Sequence, residues 1–194
     1  MELIKLKDAA INASKKAGEY LSSQKDSKKE ILSEIGRDIK LEIDQNTEKL
    51  IRKELRSTGI EVLGEEFGGC KSESLQWVID PLDGTANYFR GLDQCCVSIA
   101  LLDGTEALIG IIYNFNTNEI YSAVKGQGAF LNGLPIKVSD ITEKNKASLT
   151  TGFPASESLE SSMKFLEGLK EWKKIRMFGS AALSCAYVAS GKCD

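Results

Sequence analysis

The chain has 194 residues, 42% of them apolar, enough for a proper core in one large domain or a domain and a half. Its 25 Lys and Arg against 28 Asp and Glu leave a net charge of −3, which lacks the field that a general nucleic-acid binder needs. The complete lack of histidine removes Ser-His-Asp and Cys-His catalysis, HExxH zinc sites and histidine bases, so acid–base or metal chemistry falls to carboxylates, hydroxyls, thiols or lysines.

Residues 3–24 place Leu3, Leu6, Ala10, Ala13, Ala17, Tyr20 and Leu21 at helical spacing. The charged stretch 25–34 predicts a loop or a frayed helix end. Ile39, Leu41 and Ile43 alternate with polar residues and predict a short strand. Asp44 then caps a helix with Leu50, Ile51 and Leu55 on its inner face. Residues 60–63 predict a strand ending at Gly64-Glu65-Glu66, and residues 75–79 another ending at Asp80-Pro81. Runs at 96–103, 107–114 and 119–124 predict three more strands, separated by turns at Gly104-Thr105 and 116–118. Residues 129–131 and 134–138 flank Asn132-Gly133, a strong hairpin signal.

Beyond residue 139 the pattern changes. A strand near 147–151, a helix near 156–171 and a strand at 173–178 precede a small-residue helix over 180–190, closed by Gly191. The order predicts an α+β fold, with an N-terminal domain over residues 1–140 and the start of an α/β layer over 141–194.

The five cysteines, at 70, 95, 96, 185 and 193, form no CxxC pair. Cys95 and Cys96 lie in an apolar run and read as small core residues, in keeping with a reducing cytoplasm. The amphipathic N-terminus has no secretory apolar segment and no stretch is long enough to span a bilayer, so a soluble cytoplasmic chain without a membrane partner is expected.

Four acidic positions, Asp44, Glu65, Asp80 and Asp83, fall at the ends of strand-like runs, where a sheet presents side chains to a shared edge. Asp80-Pro81-Leu82-Asp83-Gly84-Thr85 is the densest of these features. Pro81 fixes the backbone and Gly84 permits a tight bend, so two carboxylates and the carbonyl between them can face one hard divalent cation. Backbone N–H groups just after Gly84 can form a nest for an anion. Cation ligands directly before anion-binding amides suit phosphate hydrolysis. Taken alone, the same run also fits a surface turn or a calcium-binding structural loop.

Together these segments resemble the inositol monophosphatase family. Gly64-Glu65-Glu66 and Trp77-Val78-Ile79-Asp80-Pro81-Leu82-Asp83-Gly84-Thr85-Ala86-Asn87-Tyr88-Phe89 match its first signature, W-[IV]-[IV]-D-P-[IL]-D-G-T-x-N-[FY]. Gly110 to Asn114, the hairpin from Gly126 to Gly133, and Arg176 to Ala182 follow in the family's order, so the likeness covers nearly the whole chain from about Ile39. The resemblance implies a layered αβαβα sandwich shared with fructose-1,6-bisphosphatases. It implies Mg²⁺, two or three ions in full-length relatives, with Glu65, Asp80, the Leu82 carbonyl and Asp83 as ligands. Asp44 and Thr85 would be the catalytic pair that orients a metal-activated water. Gly84 and Thr85 would bind phosphate through their N–H groups, and Gly179, Ser180 and Ala181 would line the sugar or inositol side. The expected reaction is hydrolysis of a phosphate monoester, inositol monophosphate first. Fructose 1,6-bisphosphate, a 3′(2′),5′-bisphosphate nucleotide, and a non-catalytic role are the alternatives.

Two departures stand out. Leu41 occupies the place of the family's usual Thr, three residues before Asp44. The second signature, W-D-x-A-[AG]-G, is absent, since neither Trp77 nor Trp172 is followed by Asp. A C-terminally truncated member is therefore expected, without the final strands and helices, with weak or no hydrolysis of its own and a homodimer only at full length.

Overall fold

The computed structural model describes residues 3–25, 27, 31–35, 38–69, 74–152 and 159–194; Cys70 lies outside them. Helix α1 (Leu3–Ser23) buries the stripe Leu6, Ala10, Ala13, Ala17 and Leu21, as its spacing predicts. Strands β1 (Ile31–Ile35) and β2 (Asp38–Leu41) pair antiparallel. A strand thus stands over 31–34, the end of the stretch where charge predicted a loop or a frayed helix end, because the lysines and acids at 25–30 masked the short run behind them; residues 26 and 28–30 lie outside the described residues. The chain turns directly from β2 into α2 (Glu42–Leu55), so Ile43 belongs to the helix and not to the strand.

Seven strands form the main sheet among the described residues, in the order β3 (Glu61–Gly64), β4 (Leu75–Asp83), β5 (Cys96–Asp103), β6 (Glu106–Asn114), β7 (Glu119–Val124), β8 (Ala129–Leu131) and β9 (Leu134–Ile136). Only β3 and β4 run parallel; the rest is an antiparallel meander. Asn132 and Gly133 both take positive φ, 49° and 80°, as a two-residue hairpin turn requires.

Helices α1 and α2 lie on one face of this sheet, α1 over β5, β6 and β7 and α2 over β4. The core between them contains Trp77, Ile79, Val97, Ile99, Leu101, Ile109 and Ile111. Trp77 is fully buried and its indole N–H donates to Thr58 Oγ1 at 3.0 Å. At about 25 cal/mol per Å², an indole burying about 200 Å² contributes roughly 5 kcal/mol.

Alternation puts Cys96 on the opposite face from Val97, and helix α5 (Ala181–Ala189) begins there, with Ser180 Oγ 3.8 Å from Cys96 Sγ. Cys95 and Cys96 are both fully buried, as the apolar run implied. Strands β10 (Ser148–Thr150) and β11 (Lys174–Arg176) form a separate parallel pair, with α4 (Leu159–Gly168) between them in sequence. No helix among the described residues is long and apolar enough to cross a membrane.

Candidate carboxylate site

Strand β4 runs on past Asp80 to Asp83 instead of ending at Pro81. Against β5, Asp80 pairs with Ser98 and Asp83 with Cys96. Three steps on one strand therefore match two on the other, a bulge that holds Pro81 and Leu82 out of register. The sharp turn expected here is this bulge followed by Gly84. Gly84 has φ 93°, and a Cβ there would lie 2.7 Å from Gln94 O and 3.2 Å from Cys95 Cα. Only glycine fits, and the chain enters α3 (Thr85–Arg90) at once. The first N–H groups of a helix lack intrahelical acceptors, and those of α3 begin at Thr85, directly after the Gly84 N-cap.

Asp44 is not at a strand end; it sits in the first turn of α2, 3% exposed. Its Oδ2 accepts the Leu41 N–H at 2.8 Å, capping the helix from within, and its Oδ1 accepts the Thr85 hydroxyl at 3.2 Å. Leu41 is fully buried and contributes no side-chain cap, so the apolar replacement for Thr is absorbed by the core. Burial pushes the Asp44 carboxyl from the usual 3.8 up to about 7, with Glu66 and Glu65 adding to the rise. Thr85 shares its single hydroxyl proton between Asp44 and the Leu82 carbonyl, 2.9 Å away.

Asp80 and Glu65 are hydrogen-bonded partners. Burial, then the charges of Glu65 and Asp83, raises the Asp80 carboxyl to about 8. Asp83 faces elsewhere. Its oxygens accept the Ser180 hydroxyl, the Ala181 N–H at 3.2 Å and the Ala182 N–H at 2.7 Å, so it caps the start of α5. Among the described residues no three acidic side chains stand close enough to form a ready coordination shell, because α5 draws Asp83 aside. The structure thus brings Glu65 to Asp80 and Thr85 to Asp44, and binds Asp83 to the turn that holds Gly179, Ser180 and Ala181. The Ser180 hydroxyl is committed to Asp83 and Leu183 N, not to open space.

Three residues escaped the sequence reading. Asn87 donates through Nδ2 to Gln94 O and Phe178 O, both at 2.7 Å, and ties α3 to the turn before α5. A Cβ on Gly179 would meet that amide at 2.9 Å. Glu48 and Arg52 form a paired charge on α2, where Glu48 is fully buried. A usable signal existed: Asp44, Thr47 and Glu48 extend the buried stripe of Ile51 and Leu55, and polar residues on such a stripe need partners. A cavity of about 550 Å³ between α1 and the β7–β8 hairpin, lined by Lys7, Ile11, Lys15 and Phe130 among others, shares no residue with the carboxylates.

The fold is shared with solved structures. The extragenic suppressor protein SuhB of Bartonella henselae superposes with a TM-score of 0.92 at 30% identity, over 98% of this chain and 76% of that one. The inositol monophosphatase family model matches residues 2–194, and the chain belongs to that family of phosphatases. Nus factor SuhB of Xylella fastidiosa is 40% identical over 158 residues, 79% of this chain but only 58% of its own length. The inositol monophosphatase of Mesembryanthemum crystallinum is 34% identical over 196 residues, covering 95% of this chain and 73% of the plant protein.

Proposed function

We propose that this protein hydrolyses a phosphate monoester, inositol monophosphate first among candidates, with Mg²⁺ held by Glu65, Asp80, the Leu82 carbonyl and Asp83. One observation supports the reading above others: partial burial, and then the nearby charges of Glu65 and Asp83, raise the Asp80 carboxyl to about 8. Such a set of hard oxygen donors fits Mg²⁺ and gains from a cation that relieves the repulsion. A bound Mg²⁺ supplies charge neutralisation at phosphate and acidifies a ligated water. The Asp44–Thr85 pair orients the attacking water and accepts its proton. The N–H groups of Gly84 and Thr85 hold the phosphate oxygens. To serve as a ligand Asp83 would have to leave the α5 start for Asp80, which would free the Ala181 and Ala182 amides it now occupies.

The test is phosphate release from a panel of inositol monophosphate, fructose 1,6-bisphosphate and a 3′,5′-bisphosphate nucleotide, with Mg²⁺ and with EDTA. Mg²⁺-dependent release that EDTA abolishes, and that Asp83→Asn lowers by orders of magnitude, is expected. Release that is indifferent to EDTA contradicts the reading. A second reading, a binding role without turnover, is favoured by the name Nus factor carried by the Xylella fastidiosa relative. No release from any substrate, with Mg²⁺ still bound, selects it.

A further inference from the structure

The turn that carries Glu65 has little apolar anchorage, since Glu65 is exposed and Phe67 is 47% exposed. What grips it is the fully buried carboxylate of Glu48 on α2. Glu48 Oε2 accepts the Glu66 N–H at 2.8 Å, and Oε1 accepts the Phe67 N–H at 3.3 Å and Arg52 Nε at 2.8 Å. The Arg52 fork then donates to Val62 O at 2.9 Å and Gly68 O at 2.6 Å, one carbonyl on each side of the turn. Gly64 completes the fit: a Cβ there would lie 2.0 Å from Glu48 Oε1, so any side chain would expel the carboxylate.

We propose that the Glu48–Arg52 pair is a positioning device for Glu65, fixing the turn so that this carboxylate is presented to Asp80 for Mg²⁺ binding. The proposal rests on the reading of Glu65 as a metal ligand. Fold stability alone is a poor reason for the pair, because a buried ion pair rarely stabilises more than packed apolar side chains do. Its geometry explains it better. Four hydrogen bonds converge on the backbone around one acid, and a fifth joins Arg52 to Glu48, which lies four residues beyond Asp44 on the same helix. Glu48 and Arg52 touch neither substrate nor ion; they act through the turn.

The experiment measures Mg²⁺ affinity by calorimetry, and hydrogen exchange at the Glu66 and Phe67 amides, in the parent, Glu65→Gln, Glu48→Gln, their double variant and Arg52→Lys. Ile51→Val, a mild core truncation on the same helix, controls for lost stability. Glu48→Gln and Arg52→Lys should each weaken Mg²⁺ binding about tenfold, the usual effect of removing a group that orients a ligand. They should speed exchange at both amides, and Ile51→Val should leave affinity unchanged. The double variant should bind no worse than Glu65→Gln alone, because both act through one carboxylate. Lysine cannot replace the arginine fork, so Arg52→Lys carries the test if Glu48→Gln does not fold. Unchanged affinity in Glu48→Gln or Arg52→Lys, with affinity lost in Glu65→Gln, overturns the positioning role alone. Unchanged affinity in Glu65→Gln overturns the metal-ligand reading itself, and the positioning role with it.

Discussion

Replacing Asp44 with asparagine should change stability in a way that depends on pH. The carboxyl sits at 3% exposure and is pushed from 3.8 up to about 7, chiefly by burial. A carboxylic acid raised in the folded state stabilises that state below its unfolded value, and the benefit fades as pH rises through the folded value. At about 1.4 kcal/mol per pH unit, Asp44 costs the metal-free fold about 4 kcal/mol at about pH 8.5, where it is ionised, and about 2 kcal/mol at about pH 5, where folding keeps it protonated while the unfolded chain ionises. Asparagine removes that cost at both. It also weakens the bond from Leu41 N–H, by about 1 kcal/mol. The variant should therefore exceed the parent by about 1 kcal/mol at about pH 5 and by about 3 kcal/mol at about pH 8.5. Urea melts in EDTA at the two pH values measure this directly. A difference between variant and parent that stays constant within about 0.5 kcal/mol across that range refutes the burial argument. Hydrolysis should fall in the same variant if the proposed Asp44–Thr85 pair accepts the proton of the attacking water.

Gly84→Ala should destabilise by roughly 2 kcal/mol or more, since it combines a left-handed backbone with a Cβ driven into Gln94 O; a thermal melt within 1 °C of the parent would remove that constraint. Asn87→Asp, which is isosteric, should cost about 3 kcal/mol, because it exchanges two N–H bonds for a carboxylate facing the carbonyls of Gln94 and Phe178. Asn87→Ala should cost less, and the reverse ranking in urea melts would contradict the assigned amide orientation. Without metal, the parent should lose stability as pH rises from about 5 to 8.5, since Asp44 and Asp80 both give up protons they hold more tightly when folded. Saturating Mg²⁺ should restore it most at the high end of that range; a metal effect that shrinks as pH rises counts against carboxylate ligation.

Much of the architecture was legible because its signals are local. The meander from β5 to β8 follows from strand-like runs separated by turn residues, and Asn132-Gly133 announces its own turn. Strand β1 was hidden by the charges before it, which bias a local reading toward a loop. Strand β4 seemed to stop at Pro81, since proline usually interrupts a ladder; in the fold a bulge absorbs it and carries the strand to Asp83. The acids of the site were visible from motif chemistry, but their orientations were not. That Asp83 turns to α5 depends on residues 97 to 99 positions away in sequence. Apart from Arg52, the partners of Glu48 are 18 and 19 residues away and bind it through main-chain amides, which carry no side-chain signature.

The most direct test of the account is diffraction from crystals soaked in Mn²⁺, read at a wavelength where manganese scatters anomalously. A peak about 2.1 Å from oxygens of Glu65, Asp80 and the Leu82 carbonyl is predicted, with Asp83 swung off the α5 start to join it. Asp83 still on the Ala182 amide, with no peak beside Asp80, would contradict it.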